Sequence, residues 1–255
     1  MKKIILILLV FVILLLFAVY RNNSNPKIII AGLLAGENGI KSGDLKYKIY
    51  FLNVLPVATA TLVKAKGGDY QGRRVYHLEA LAKTLPYLSA LFSGSAFLDS
   101  YVDAESHNPV IFRQKLQIAG KPDADKEVTY NQKDGVMIIA GVERTILPNT
   151  QDPLSAMLNL KKMDLDKIRE FEMNINTNQK NYVLNSTVTP KDISVNHKTY
   201  KAFVLEAVVR RRDKNNPYHQ SKITMIMLKD AENIPISVKV FASGALINAK
   251  LVGIE

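Results

Sequence analysis

Three acidic residues in "LDSYVDAES", Asp99, Asp103 and Glu105, stand at even spacing in a segment that reads as a β-strand, which would put all three on one face. Carboxylates so placed could share general acid and base work, or hold a cation. Alternating charge along the wet face of a strand gives the same spacing, and that reading is preferred. The four histidines, His77, His107, His197 and His219, are far apart, and none has metal-ligand spacing to a second His or to a Cys, of which the chain has none. Each reads as a surface or interface residue.

Other local signals point away from chemistry. "GENGIKSG", Gly36 to Gly43, lacks the Gly-Lys-Ser/Thr order of a phosphate loop because Ile40 intervenes, and a strand follows it where a helix is needed. Ser155 sits inside a helical pattern without the G-x-S-x-G turn that exposes a nucleophile. Asn23 and Asn185 open N-x-S/T triplets, which matter only in a host that glycosylates them. The expectation is a protein that is not an enzyme and holds no metal and no cofactor.

Positioning elements are mostly strands. In "LKYKIYFL", Leu45, Tyr47, Ile49 and Phe51 take one face and Lys46, Lys48 and Tyr50 the other. "VATATLVKAK" and "RRVYHLEALAKT" flank the turn residues Gly67, Gly68 and Asp69, and further strand candidates follow to "ALINAKLVGI", most breaks carrying Gly, Asn, Asp or Pro. Helices are too few for parallel crossovers. The fold class expected is mainly β, a large curled antiparallel sheet, half-barrel or barrel-like, because so many strands in a flat sheet would twist and leave long open edges. "VMIIA" and "ITMIML" are apolar at successive positions and should be covered on both faces.

Two short amphipathic helices are expected to cover the sheet. One is "TLPYLSALFSG", Thr84 to Gly94, with Leu85, Leu88 and Leu91 or Phe92 recurring at helical intervals. The other lies in "PNTQDPLSAMLNLKKMDLD": Asp152 is placed to cap, Pro153 fits the first helical position, and Leu154, Met157, Leu158 and the stem of Lys161 form a stripe.

"MKKIILILLVFVILLLFAVYR" precedes the body. Its apolar run Ile4 to Tyr20 spans roughly 26 Å as a helix, near the ~30 Å hydrocarbon core. No polar face and no A-x-A pattern accompany it, so an uncleaved signal anchor is preferred to a cleaved peptide. Lys2 and Lys3 put the N-terminus in the cytoplasm and the body outside. Residues 1–21 are thus the anchor, 22–43 a Gly/Asn/Ser-bearing tether, and 44–255 one β-rich exported domain. The alternative is secretion to the periplasm after cleavage. The net charge of +11 favours anionic surroundings. Its densest run, "RRRDK" at Arg210 to Lys214, reads as a solvated hairpin tip, and no nucleic-acid partner is expected.

"SGDLKYKIYFLNVLPVATATL" from Ser42, "HLEALAKTLPYLSALFSGSAFLDSYVDAESHNP" from His77, "TQDPLSAMLNL" from Thr150 and "IPISVKVFASGALINAKL" from Ile234 occur in that order. In this the chain resembles the exported bacterial family catalogued as domain of unknown function 3108, with Asp44 where that family has Glu and Ala58 where it has Gly. The resemblance implies an exported envelope protein with a mostly antiparallel sheet; it brings no activity and no functional residues.

The functional expectation is a binding module held at the bacterial inner membrane by residues 4–20 and facing the periplasm. It takes a lipid-like or glycolipid envelope component against an apolar interior lined by Leu85, Leu88, Phe92, Leu154, Met157 and Leu158. The alternative is a non-enzymatic scaffold that recruits an envelope protein partner.

Overall fold

The computed structural model describes residues 43–88, 92–177, 180–195, 198–212, 220–229, 232–242 and 244–255. The expected anchor, the tether up to residue 42, His197, His219 and Asp213 and Lys214 of the basic run lie outside them. Among the described residues no helix is long and apolar enough to cross a membrane.

Fifteen strands form one sheet: β1 (Leu45–Phe51), β2 (Leu55–Leu62), β3 (Lys66–Tyr70), β4 (Arg73–Thr84), β5 (Gly94–Asp103), β6 (Pro109–Ile118), β7 (Ala124–Asn131), β8 (Val136–Ile139), β9 (Val142–Thr145), β10 (Glu170–Thr177), β11 (Lys180–Val195), β12 (Lys198–Arg211), β13 (Gln220–Leu228), β14 (Pro235–Ala242) and β15 (Ala245–Ile254). The spatial order is β10-β11-β12-β13-β14-β15-β1-β2-β4-β5-β6-β7-β8-β9, with β3 paired to β4. Every ladder is antiparallel, as short turn-bearing connections require. Two of those turns, Gln71-Gly72 and Ala140-Gly141, have both central residues at positive φ, the hairpin geometry that follows the right-handed twist of the strands. The first strand completes the sheet with the last: the amide of Asp44 donates to the carbonyl of Glu255 at 2.6 Å, and β1 runs beside β15.

The sheet curls without closing. β9 and β10, its two outer strands, share no ladder among the described residues; the connection between them bridges the gap. Gln151 makes a single parallel bridge with Ile175 of β10, and the side-chain amides of Asn181 and Asn174 donate to the carbonyls of Thr145 and Pro148 at 3.0 and 2.9 Å.

Among the described residues one α-helix, α1 (Pro153–Lys162), occupies the concave side. Ala156 and Leu160 pack with β10 to β13 through Met173, Leu184, Phe203, Leu205 and Met225. Leu154 and Leu158 pack with β4 to β8 through Leu78, Phe112, Val128 and Met137. Contact with both halves of the sheet explains why α1 is buried nearly all round and not along a single stripe. Asp152 caps it as expected. Its carboxylate accepts from the amides of Leu154 and Ser155 at 2.7 and 3.0 Å, and the Ser155 hydroxyl accepts from the amide of Asp152, a reciprocal capping box.

Two expectations are corrected. The helix expected over Thr84 to Gly94 is, among the described residues, a single 3-10 turn at Pro86–Leu88; Thr84 is the last residue of β4 and Gly94 the first of β5. Pro86 disfavours helical backbone at Leu85, and the turn is tied instead to β2, with the Leu85 amide donating to the carbonyl of Val57 and the Tyr87 hydroxyl to that of Pro56. Second, the apolar run of β8 is covered on one face only: Met137 and Ile139 are buried while Ile138 is exposed. β13 does bury both faces, Met225 and Met227 in one cluster and Leu228 in another.

Candidate binding groove

The register places small and apolar residues of separate strands in rows across the concave face. One row runs from Leu62 on β2 through Ala80 and Leu98 to Gln114 on β6 and Lys126 on β7. The next runs from Tyr47 on β1 through Ala60, Ala82 and Ala96 to Leu116 and Ala124. Strand alternation confirms the face: Leu62, Ala80 and Leu98 pack against the cluster that contains Leu154 and Leu158 of α1.

Ala60, Leu62, Ala80, Ala82, Ala96 and Leu98 all face the inside of the curl and yet remain half-buried. Small side chains at four of these six positions make a low strip of the concave face, the candidate trough, that is only partly covered. Leu88 bounds it at one end, packed on Ile49, Ala58 and Ile247; Leu154 and Leu158 bound it at the other. Of the residues expected to line an apolar interior, Leu88, Leu154 and Leu158 are buried at these two ends. Leu85 and Phe92 are half-buried in the β4–β5 connection, where the Phe92 ring abuts Gly94 closely enough that a Cβ there would meet it at 2.9 Å. Met157 turns the other way, onto the cluster of β10 to β13.

The floor of the trough was not among the sequence-predicted residues. Each of its alanines looks unremarkable in its own strand, and only the pairing brings them together. One signal was available in "KEVTY": Lys126 shares a strand face with Val128 and Tyr130, both of which are buried. Burial lowers the Lys126 pKa to about 8.

The acidic series does not share a face with bulk water. Asp99 is buried on the convex side, 2.5 Å from His77 Nε2 and 3.4 Å from Arg113 Nη1, and Arg113 Nε donates onward to Glu127 at 2.8 Å. His77 also stacks on the Tyr101 ring at 4.4 Å. Asp103 closes a turn; burial pushes its pKa up, but the hydrogen bonds it accepts from the amide and hydroxyl of Ser106 and the amide of Glu105, with the Arg73 charge, outweigh burial and hold it down, and Glu105 is exposed beyond the strand end. The solvated reading fails for Asp99, because cross-strand partners, invisible in one segment, cover it, and holds for Glu105. His107 lies elsewhere, with the ammonium of Lys162 2.9 Å from its Nε2; burial, followed by that cation, lowers its pKa. Among the described residues no three His, Cys, Asp or Glu side chains are grouped to hold a metal ion.

A separate recess of about 280 Å³ is lined by Asp166, Lys191, Asp192, Lys201, Phe203 and Lys229. Four of its charges are paired, Lys229 with Asp166 at 2.6 Å and Lys201 with Asp192 at 2.9 Å.

Among the described residues an open antiparallel sheet wraps around one helix, a β-barrel-like architecture. No protein-family model matches the chain, and no curated protein matches it in sequence. Among solved structures it is similar to the β-barrel-like protein of domain of unknown function 1849 from Brucella abortus, with a TM-score of 0.57 at 12% identity over 83% of this chain and 96% of that one. That likeness is one of fold. Looser matches are a protein from Parabacteroides distasonis assigned as a lipoprotein (TM-score 0.33, 8% identity, 84% of this chain and 96% of that one) and a Bacteroides fragilis protein with a YmcC-like fold (TM-score 0.28, 6% identity, 84% and 96%).

Proposed function

We propose that the chain is a non-enzymatic module of the cell envelope that binds a lipid-like or glycolipid component in the concave groove between Leu88 and α1. The observation that carries this reading is the set of half-buried Ala60, Leu62, Ala80, Ala82, Ala96 and Leu98 facing inward. A folded chain gains roughly 25 cal/mol for each Å² of apolar surface taken from water, so a concave apolar floor left half-covered favours an apolar ligand over it. Residues 1–21 support a place at the bacterial inner membrane with residues 44–255 in the periplasm, and the order of motifs from Ser42 to Leu251 supports kinship with domain of unknown function 3108. The outcome expected of native mass spectrometry on the chain released gently from membranes is a bound species of near-stoichiometric amount that organic extraction removes. A clean apo mass, with nothing recovered by extraction, overturns the reading.

A second reading, a scaffold for an envelope protein, is favoured by one feature. Leu52 and Val54 on the β1–β2 turn, Tyr87 beside Pro56 and Phe241 near the β14–β15 turn are all exposed at one rim of the sheet. It predicts a clean apo mass together with a protein crosslinked through Val54 or Phe241.

A further inference from the structure

We propose that Lys126 and Gln114 form the polar end of the groove and select acyl-chain amphiphiles that carry an anionic head group, a carboxylate or a phosphate. This inference rests on the groove reading and assigns the chemistry of its occupant.

Gln114 and Lys126 are directly paired across β6 and β7, next to each other at the end of the row that begins Leu62, Ala80, Leu98. Gln114 is only 5% exposed, and its Nε2 donor has no acceptor among the described residues. Buried polar groups in folded proteins are almost always satisfied, so an amide donor left open here is a donor held for an acceptor that arrives from outside.

Lys126 presents the matching charge. It makes no ion pair among the described residues, although acidic residues flank it in sequence. Those neighbours point to the opposite face and are taken: Asp125 faces Lys115 at 3.9 Å and Glu127 receives Arg113 at 2.8 Å. On the concave side the flanking residues of its own strand are Ala124 and Val128, and the facing residues of the next strands are Gln114 and Leu98. An ammonium in such surroundings is desolvated without compensation, which is the cause of its lowered pKa. An anion placed between Lys126 Nζ and Gln114 Nε2 would satisfy both groups at once, by charge-assisted hydrogen bonds.

The chain of such an amphiphile has a path. From β7 to β2 the row crosses four inter-strand spacings, roughly 19 Å. Over that distance it passes Leu98, Ala80 and Leu62, with Ala96 and Ala82 alongside. A neutral amphiphile of the same length would fill the trough and leave the lysine and the amide as they are.

The test uses the full-length chain in membrane vesicles and three probes with one diazirine-bearing acyl chain: the fatty acid, the fatty alcohol and the lysophosphatidic acid. Labelling of residues 78–100 is read by peptide mass spectrometry. One or both anionic probes are expected to label at least about tenfold more than the alcohol, and Lys126→Met and Gln114→Leu are expected to bring them down to the level of the alcohol. Labelling by the fatty acid alone assigns the carboxylate, and by the lysophosphatidic acid alone the phosphate. Equal labelling by alcohol and anions, unchanged in both variants, overturns the head-group assignment while leaving the groove. No labelling of residues 78–100 by any probe removes the groove and this assignment with it.

Discussion

Gln114 stands directly across the ladder from Lys126, and both side chains enter the concave face of a sheet whose adjoining positions are Leu98, Phe112, Leu116 and Val128. The lysine titrates at about 8 in the fold, against roughly 10.4 in an unfolded chain. Between those values the unfolded state binds more protons, so this group makes stability rise with pH across that window. Lys126→Met should therefore be more stable than the parent at pH 7, and the difference should shrink between pH 8 and pH 10.5. Denaturant midpoints of parent and variant along that series check it; a difference that does not change with pH would show that the ammonium is solvated.

Filling the trough separates binding from folding. Ala96 pairs with Ala82 on the concave face and is only half-buried, so a ring at position 96 is expected to enter the proposed groove and not a packed core. Ala96→Phe is expected to abolish retention of an extractable amphiphile while shifting stability by no more than about 1 kcal/mol. Loss of folding, seen as a collapse of the cooperative unfolding transition, would mean that position 96 is packed against a neighbour and that the trough is closed.

Asp152 holds α1 in place from inside. It is fully buried and takes donors from Ser100 Oγ at 2.7 Å, Leu154 N and Ser155 N, so it joins the helix start to the middle of β5. Asp152→Ala should cost about 2–4 kcal/mol, from the lost cap and from a Ser100 hydroxyl left buried without its acceptor. Burial, outweighing these hydrogen bonds, holds the Asp152 pKa above the ordinary carboxylate value. A carboxylate with a raised pKa binds its proton more tightly in the fold, so its contribution falls as pH rises from the unfolded value through the folded one. Asp152→Asn, which keeps an acceptor for both amides, should therefore lose much less than Asp152→Ala at neutral pH. Unfolding midpoints of the two variants decide between a cap role and a charge role.

What the sequence made readable follows the range of the interaction. α1 was visible because its signals are local: Asp152, Pro153 and the apolar spacing of Leu154 and Leu158 all lie within seven residues. The strands were visible for the same reason, through alternation. The supposed helix at Thr84 failed on a local rule too, since Pro86 outweighs the leucine spacing. The groove was not visible, because Ala60, Ala82 and Ala96 come from three strands and acquire a common surface only through register. Asp99 misled in the same way: its covering partners His77 and Arg113 belong to β4 and β6.

That convex cluster gives a last prediction. Asp99 joins His77 and Arg113, but Arg113 has a second carboxylate in Glu127, whereas the only carboxylate paired with His77 among the described residues is Asp99. Removing Asp99 therefore orphans the histidine and not the arginine. Asp99→Ala should destabilise by about 1–3 kcal/mol, and a double-mutant cycle with His77→Phe, which keeps a ring against Tyr101, should return a coupling above about 0.5 kcal/mol. Because the pair lies on the face opposite Gln114 and Lys126, labelling of the groove by an anionic amphiphile should be unchanged in Asp99→Ala. A variant that folds with near-parental stability and loses labelling would instead place this cluster in the binding function.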